Sequence, residues 1–546
     1  MSNVRLTGVG VSSGRASGPV VRVADPLPEP ASGPAPTDPA AEAARIAPAA
    51  KLVAQRLDAA AEQAGGAGRE VLEATAMMAA DPALVAAAEQ LVSTGGRPAP
   101  RAVFEAAGQF SATLAAAGGY LAERVRDIAD IRDRLIAELT GAPAPGVPEL
   151  AGPSVLVARD LAPADTAGLD PDLVLALVTE EGGPTSHTAI LARALGIPAV
   201  VACRGVLDLT ADGLSVDGDT GAVTTITGPV SIAAAAGAGS TEWNGIGATA
   251  DGHRIKVLAN VGSPADAQAG AAAGAEGVGL FRTEFCYLDA DIEPSENEQR
   301  AAYAQVIAPF HGKPVIVRTL DAGADKPLRF LRLDPEPNPA LGVRGLRVAH
   351  ERAGLIDRQL AAIAGAAQDS GAEVSVMAPM VATAEEAAWF VERARAAGIQ
   401  RAGVMIEIPA AALTAAEVFE VVDFVSLGTN DLAQYLFAAD RQVGAVAALN
   451  DPWQPALLRL IALVGDAARA AGKPVGVCGE AAADPALACV LAGLGVSSVS
   501  MNAPAVRRVG AALSAVELDT CEQIARVVLG TGTPAAAKVA ARAALD

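Results

Sequence analysis

Large rings are scarce in this 546-residue sequence: aromatic residues make up 3% of it. Its 51% hydrophobic content is instead rich in alanine, which favours helices and close packing over membrane insertion. No apolar run is long enough to span a bilayer, and the first residues, MSNVRLTGVGVSSGRASG, lack the basic-then-apolar pattern of a secretion signal. Both absences lead us to expect a soluble, cytoplasmic protein. Cysteine is sparse and odd in number: Cys203, Cys286, Cys478, Cys489 and Cys521 are scattered, with no CxxC spacing. That argues against a zinc site and against a disulfide framework. Basic residues are also in deficit, 41 against 62 acidic ones, for a formal charge of −21. Nucleic acid is therefore an unsuitable partner, while a basic protein partner would be drawn in by long-range steering. Histidine occurs four times, at 187, 253, 311 and 350.

The length calls for roughly two to four domains. Residues 4–23, VRLTGVGVSSGRASGPVVRV, predict a hairpin of two short strands around a Gly/Ser turn. A Pro-rich connector follows. Residues 40–140 then carry apolar side chains at three- and four-residue steps, which predicts a helical bundle. Strand signals return at SVLVARD, LVLALVTEEG, GIPAVVAC and GLSVDGDTGAVTTI. The economical reading is an α/β domain (1–25 and 143–227) with a helical domain (37–142) inserted into it. Residues 228–247 read as a linker, with Gly237 and Gly239 as hinge candidates. Residues 248–546 alternate eight apolar runs with helical stretches, which predicts a (β/α)8 barrel whose strands are buried on both faces. The fold class expected is thus multidomain α/β.

Barrel enzymes carry their chemistry at the C-terminal ends of the strands. Here those ends hold Asn260, Arg282 with Glu284, Arg318 with Asp321, Glu407, Asn430 with Asp431, and Cys478 with Glu480. Arginines suit phosphate and carboxylate oxygens, because a planar guanidinium donates in bidentate fashion. Glu407 and Asp431, with few nitrogen or sulfur ligands nearby, suit Mg²⁺. A metal ion with arginines is the equipment of phosphoryl transfer; the alternative is a rim of solvated caps and salt bridges. Cys478 reads either as a small buried hydrophobe or as a general acid. His187, in EEGGPTSHTAILAR, stands at the start of an apparent helix that Ser186 or Thr185 could cap. It reads either as a capping-turn residue or as a phosphoryl acceptor at an anion-attracting helix end.

These residues lead to a resemblance. GGPTSHTAILARALGIPAVV resembles the phosphohistidine signature of the phosphoenolpyruvate-utilising enzymes. The helical block, with MMAADPAL and YLAERVRDIADIRDRL, is similar to the enzyme I branch that serves the bacterial sugar phosphotransferase system. GVGLFRTEF, VIVRTLDAGADKPL, NPALGVRGLR, MIEIPAA, DFVSLGTNDLAQYLFAADR and GVCGEAAADP continue the likeness through the barrel.

The resemblance implies an enzyme that moves the phosphoryl group of phosphoenolpyruvate to His187 and then to the phosphocarrier HPr, releasing pyruvate. It implies that Thr166 orients the His187 ring and that Arg282, Arg318 and Arg441 grip the substrate. Asn430 and Asp431 would assist, and Arg344 would support the site. Glu407 and Asp431 would hold Mg²⁺, and Cys478 would protonate the enolate. The helical block would dock HPr through Glu73, Met77, Met78 and Asp81, unless the methionines are bundle core. A homodimer would form through the barrel. The sequence departs from the family pattern at Pro184 (often arginine), Ala324 (glycine) and Thr75 (histidine). A phosphoenolpyruvate synthase or dikinase would need a nucleotide domain larger than the helical block, and no Gly-rich phosphate loop occurs there. A catalytically silent interaction protein would have no use for His187, the arginines, the paired carboxylates and Cys478 together.

Overall fold

The computed structural model describes residues 4–545 other than 13, 25–26, 64–66, 118–124, 144, 149, 162–164, 166–168, 171–172, 183–187, 190–191, 193–194, 219, 229, 233–242, 288–289, 324–327, 332, 335 and 441–443. The hinge candidates Gly237 and Gly239 lie outside the described residues. The chain divides into two compact units, Met1–Gly239 and Ser240–Asp546.

In the first unit eight strands form one sheet: β1 (Arg5–Thr7), β2 (Val9–Ser12), β3 (Arg15–Arg22), β4 (Ser154–Ala158), β5 (Val174–Thr179), β6 (Ala199–Val201), β7 (Gly213–Asp217) and β8 (Ala222–Ile226). Their spatial order is β1-β8-β7-β3-β4-β5-β6-β2. β3 and β4 pair in parallel, with Val20 beside Val155, although the whole helical block lies between them in sequence. That block contains helices Pro39–Ala43, Ile46–Gln63, Ala67–Ala79, Pro82–Ser93, Ala99–Ala117 and Val125–Thr140. Their apolar stripes meet in a core that includes Leu57, Leu72, Leu84, Val103 and Ile131. Asp38 and Asp81 each cap a helix whose first residue is proline, a start signal readable in the sequence.

The expected hairpin at 4–23 is overturned. The segment forms three strands, and β1 and β2 lie at opposite edges of the sheet. β1 pairs with β8, β2 with β6, and β3 with β7 and β4. Short alternating runs look the same in either arrangement; the partners that decide are some two hundred positions downstream in sequence, for instance Val4 N to Thr225 Oγ1.

The second unit is a closed barrel of eight parallel strands: β9 (Lys256–Val261), β10 (Val278–Arg282), β11 (Pro314–Arg318), β12 (Glu373–Ala378), β13 (Ala402–Ile406), β14 (Val425–Leu427), β15 (Val475–Val477) and β16 (Ser498–Met501). β16 pairs back onto β9, with Val499 beside Val257. The strands are near-continuous buried apolar runs, as a sheet covered on both faces requires. Helices on the outside begin with firm signals: Ser263 with Asp266, Ser295 with Glu298 and Thr383 with Glu386 are complete capping boxes. Because all strands run the same way, their C-terminal ends share one rim, and the charged residues singled out from the sequence meet there.

Candidate active site at the barrel mouth

Several strand ends deliver charged residues to a web of alternating charge. Arg318, at the end of β11, donates to Glu284 and lies 3.0 Å from Asp321. The other carboxylate oxygen of Asp321 accepts from Arg344 Nε at 2.9 Å, and Arg344 Nη2 reaches Asp431 at 3.2 Å. The order is Glu284, Arg318, Asp321, Arg344, Asp431. Asp321 and Arg344 are 0% and 1% exposed, so these pairs sit where solvent screens them little. Burial alone would lower the pKa of Arg318 and of Arg344. Glu284 and Asp321 outweigh it for Arg318, and Asp321 and Asp431 for Arg344, so both are raised. Both guanidiniums are therefore permanent cations.

Arg282 ends β10 differently. Its guanidinium lies 4.8 Å from the centre of the Phe285 ring, and its Nε is buried without a partner. Burial is the main cause that lowers its pKa. A stacked guanidinium with an unsatisfied N–H is equipped to receive an incoming anion.

Glu407 follows β13 and is wholly buried. One carboxylate oxygen accepts from the Met380 backbone N–H at 2.7 Å; the other has no partner. Burial, then the charges of Asp431 and Asp321, push its pKa up to about 7 against the pull of Arg318 and Arg344. Met380 holds its N–H in place with φ of 59°, a left-handed backbone that costs on the order of 1–3 kcal/mol for a non-glycine residue. A side chain at Gly428 would place its Cβ 2.7 Å from the free Glu407 oxygen, so glycine keeps that oxygen's surroundings open.

Asn430 and Asp431 stand in the first turn of helix Thr429–Phe437. Asn430 Oδ1 accepts from the Glu480 N–H at 3.0 Å. That contact requires the Cys478–Glu480 turn to lie close against Thr429, and a Cβ at Gly479 would fall 1.8 Å from Thr429 Oγ1. Cys478 is 5% exposed, with Sγ 3.6 Å from the Leu427 carbonyl. Burial, first, pushes its pKa up to about 11, so at neutral pH it is a thiol holding a proton. Asn260 Nδ2 donates to the Cys478 carbonyl at 3.0 Å and is itself held by Ser500 Oγ at 2.6 Å.

Buried polar atoms in folded proteins almost always find partners. Among the described residues seven buried side-chain N or O atoms have none. Five of them, on Arg282, Glu284, Arg318, Glu407 and Thr429, lie at this mouth. The donor set is oxygen-rich, and four carboxylates (Glu284, Asp321, Glu407, Asp431) face three guanidiniums (Arg282, Arg318, Arg344). Such a site fits a hard cation together with an anionic oxygen ligand. No group of three or more His, Cys, Asp or Glu side chains able to hold a metal occurs among the described residues. Mg²⁺ sites commonly use one or two carboxylates together with substrate oxygens.

His187, Thr166 and Arg441, with the departures Pro184 and Ala324, lie outside the described residues. Their neighbours are placed. Thr188 is buried, with Oγ1 3.2 Å from Asp160, and Asp165 is gripped by Arg134 at 2.6 Å. In the helical block Met77 is 75% exposed and Glu73 is exposed, whereas Met78 packs partly against the bundle core and Thr75 is 1% exposed. The two methionines therefore divide between surface and core. Asp81 caps helix Pro82–Ser93 by accepting from Ala83 N at 2.7 Å. Sequence reasoning missed Met380, Phe285 and Ser500; a backbone donor and a barrel-interior serine leave no charge signal to follow.

Comparison with known proteins agrees in extent and order. Residues 7–124 match the N-terminal domain of the phosphoenolpyruvate-utilising enzymes, 150–221 their mobile domain, and 240–518 their phosphoenolpyruvate-binding domain. The chain is 52% identical to a phosphoenolpyruvate-protein phosphotransferase of Streptomyces coelicolor over 99% of both chains. It is 40% identical to one of Haloferax volcanii over 87% of both. One of Latilactobacillus sakei is 39% identical, over 85% of this chain and 84% of its own. The chain belongs to the phosphoenolpyruvate-utilising enzymes and, within them, to the family of the phosphoenolpyruvate-protein phosphotransferases.

Proposed function

We propose that the protein takes the phosphoryl group of phosphoenolpyruvate onto His187 and passes it to the histidine of HPr, releasing pyruvate, as the first step of a sugar phosphotransferase system. The observation that carries the reading is the concentration of unpartnered buried polar atoms at the barrel mouth, on Arg282, Glu284, Arg318, Glu407 and Thr429. In this reading Arg282 and Arg318, with Arg441, receive the phosphate and carboxylate of the substrate. Arg344 keeps Asp321 and Asp431 in place, and Asn430 fixes the Cys478–Glu480 turn. His187 Nε2 attacks phosphorus, the bond to the enol oxygen breaks, and the Cys478 thiol gives its proton to C3 of the enolate. Thr166 orients the His187 ring. Glu407 and Asp431 are the residues that would hold Mg²⁺, which when bound supplies charge neutralisation to the phosphate oxygens. The same reading has the chain pair through its barrel domain.

The test is incubation with phosphoenolpyruvate labelled on phosphorus, with Mg²⁺, for wild type and His187→Ala. Acid-labile, base-stable label on the wild type alone, transferable to added HPr, is the expected result. Label on the variant would mean a different nucleophile, and no label on folded wild type would overturn the reading.

The carrier surface has its own check. Glu73→Lys and Met77→Ala change exposed positions on helix Ala67–Ala79, and each is expected to slow transfer to HPr about tenfold while leaving self-phosphorylation unchanged. Asp81→Lys is less clean, because losing the cap costs about 1 kcal/mol; its melting temperature should fall as well. Equal loss of both transfers in Glu73→Lys would remove this face from the docking surface.

A further inference from the structure

Behind the barrel rim lies a buried polar group to which none of the roles above assigns a function. Gln359, on helix Ala353–Ser370, is 4% exposed. Its Oε1 accepts from the Leu320 backbone N–H at 3.0 Å. Its Nε2 donates to Thr283 Oγ1 at 3.1 Å and to Tyr303 Oη at 3.0 Å. Thr283 Oγ1 in turn donates to the Arg318 carbonyl at 2.9 Å. The backbone N–H of Leu320 needs an acceptor, so only one orientation of the amide satisfies the set.

The placement matters more than the count. Thr283 sits between Arg282 and Glu284; Leu320 sits next to Asp321 and two residues after Arg318. One side chain thus grips the segments that continue β10 and β11, and these carry two of the arginines and two of the carboxylates of the mouth. The ladder between β10 and β11 sets Arg282 beside Arg318 after an irregular register between Val278 and Phe281; past that pair it stops, and Gln359 ties together the two segments that leave it. Thr283 and Tyr303 are 0% exposed, so these bonds are shielded from bulk solvent.

We propose that Gln359 is a positioning residue that fixes how the segments leaving β10 and β11 after Arg282 and Arg318 lie against each other, and thereby the fit of the site to a ligand bearing both a phosphate and a carboxylate. The inference rests on the reading that these arginines receive phosphoenolpyruvate. Displacing groups of this kind by about 1 Å can cost up to a hundredfold, whereas the Tyr303 hydroxyl, on helix Glu296–Ile307, bonds Gln359 and Gln299.

The experiment follows the phosphoenolpyruvate dependence of phosphoryl labelling in the full chain with Mg²⁺, alongside thermal melting. Gln359→Leu is expected to raise the half-saturating concentration about tenfold or more, with a smaller change in the rate at saturation. Tyr303→Phe, which also removes a hydrogen bond to Gln359, is expected to lower the melting temperature and keep the wild-type half-saturating concentration. Thr283→Val removes the donor to the Arg318 carbonyl, should show the same rise as Gln359→Leu, and decides the matter if Gln359→Leu does not fold. A wild-type concentration dependence in folded Gln359→Leu or in Thr283→Val overturns the proposal, as does an equal rise in Tyr303→Phe. No label on wild type would overturn the functional reading and the proposal together; label on wild type with unchanged variants would overturn the positioning role alone.

Discussion

Glu407→Gln is expected to melt at a higher temperature than wild type at pH 8 while losing phosphoenolpyruvate-dependent labelling. Glu407 is wholly buried, and its pKa is raised from 4.5 to about 7 by burial and by Asp431 and Asp321. A carboxyl with a folded pKa above its unfolded value binds its proton more tightly when folded. Stability therefore falls as pH rises from about 4.5 to about 7, and the full loss is present above that range. The shift corresponds to a cost on the order of 3 kcal/mol at pH 8. Glutamine keeps the shape and the acceptor for the Met380 N–H at 2.7 Å without the charge. Melting curves from pH 5 to 8 should show the wild type losing stability and the variant staying level, with the two converging near pH 5. Added Mg²⁺ should raise the wild-type melting temperature at pH 8 and leave the variant unmoved. A variant that melts lower at pH 8 would show that the buried charge is compensated and that this account of Glu407 is wrong.

Arg344→Met should lose both fold stability and activity. Its guanidinium, 1% exposed, spans Asp321 and Asp431. Methionine fills much of the volume but removes one of the cations beside Asp321, which is 0% exposed and keeps Arg318 at 3.0 Å. Breaking a buried pair from one side costs about 3–5 kcal/mol, because the remaining charge is left uncompensated. Asp321→Asn in the same chain should recover a substantial part of that loss, since it removes the stranded charge. Urea unfolding of the barrel, followed for both single variants and the double, measures the coupling. Purely additive losses would mean that Asp321 and Arg344 stabilise the barrel independently, contrary to the geometry.

The barrel was legible because its signals are local. Each strand is an apolar run, several of the helices begin with a side-chain cap such as Ser263, Ser295 or Thr383, and the charged residues stand at strand ends where topology must gather them. The N-terminal strands were not legible as arranged. β1 and β2 are short, and the partners that assign them to opposite edges are remote in sequence. In the site, Arg282, Arg318, Glu407 and Cys478 carry chemistry in their side-chain type. Met380 contributes a backbone N–H, and Gln359 looks like any polar residue on an amphipathic helix; both gain meaning only from contacts across the fold. Met77 and Met78 show the same limit at finer grain, because adjacent residues point in different directions and periodicity alone left their burial open.

The seam between β16 and β9 bears on how the protein is made. Asn260 and Ser500, joined by one hydrogen bond, are 240 positions apart, and synthesis at about 5–20 residues per second separates their emergence from the ribosome by on the order of 10–50 seconds. For that interval β9 offers an unpaired edge, the kind of surface that recruits chaperones or neighbouring nascent chains. Until the last strand docks, Asn260 has no Ser500 to hold it and no Cys478 turn to hold. Chains that stop before β16 lack both the partner of β9 and the Ser500 contact of Asn260, and they are expected to aggregate and to show no phosphoenolpyruvate-dependent labelling.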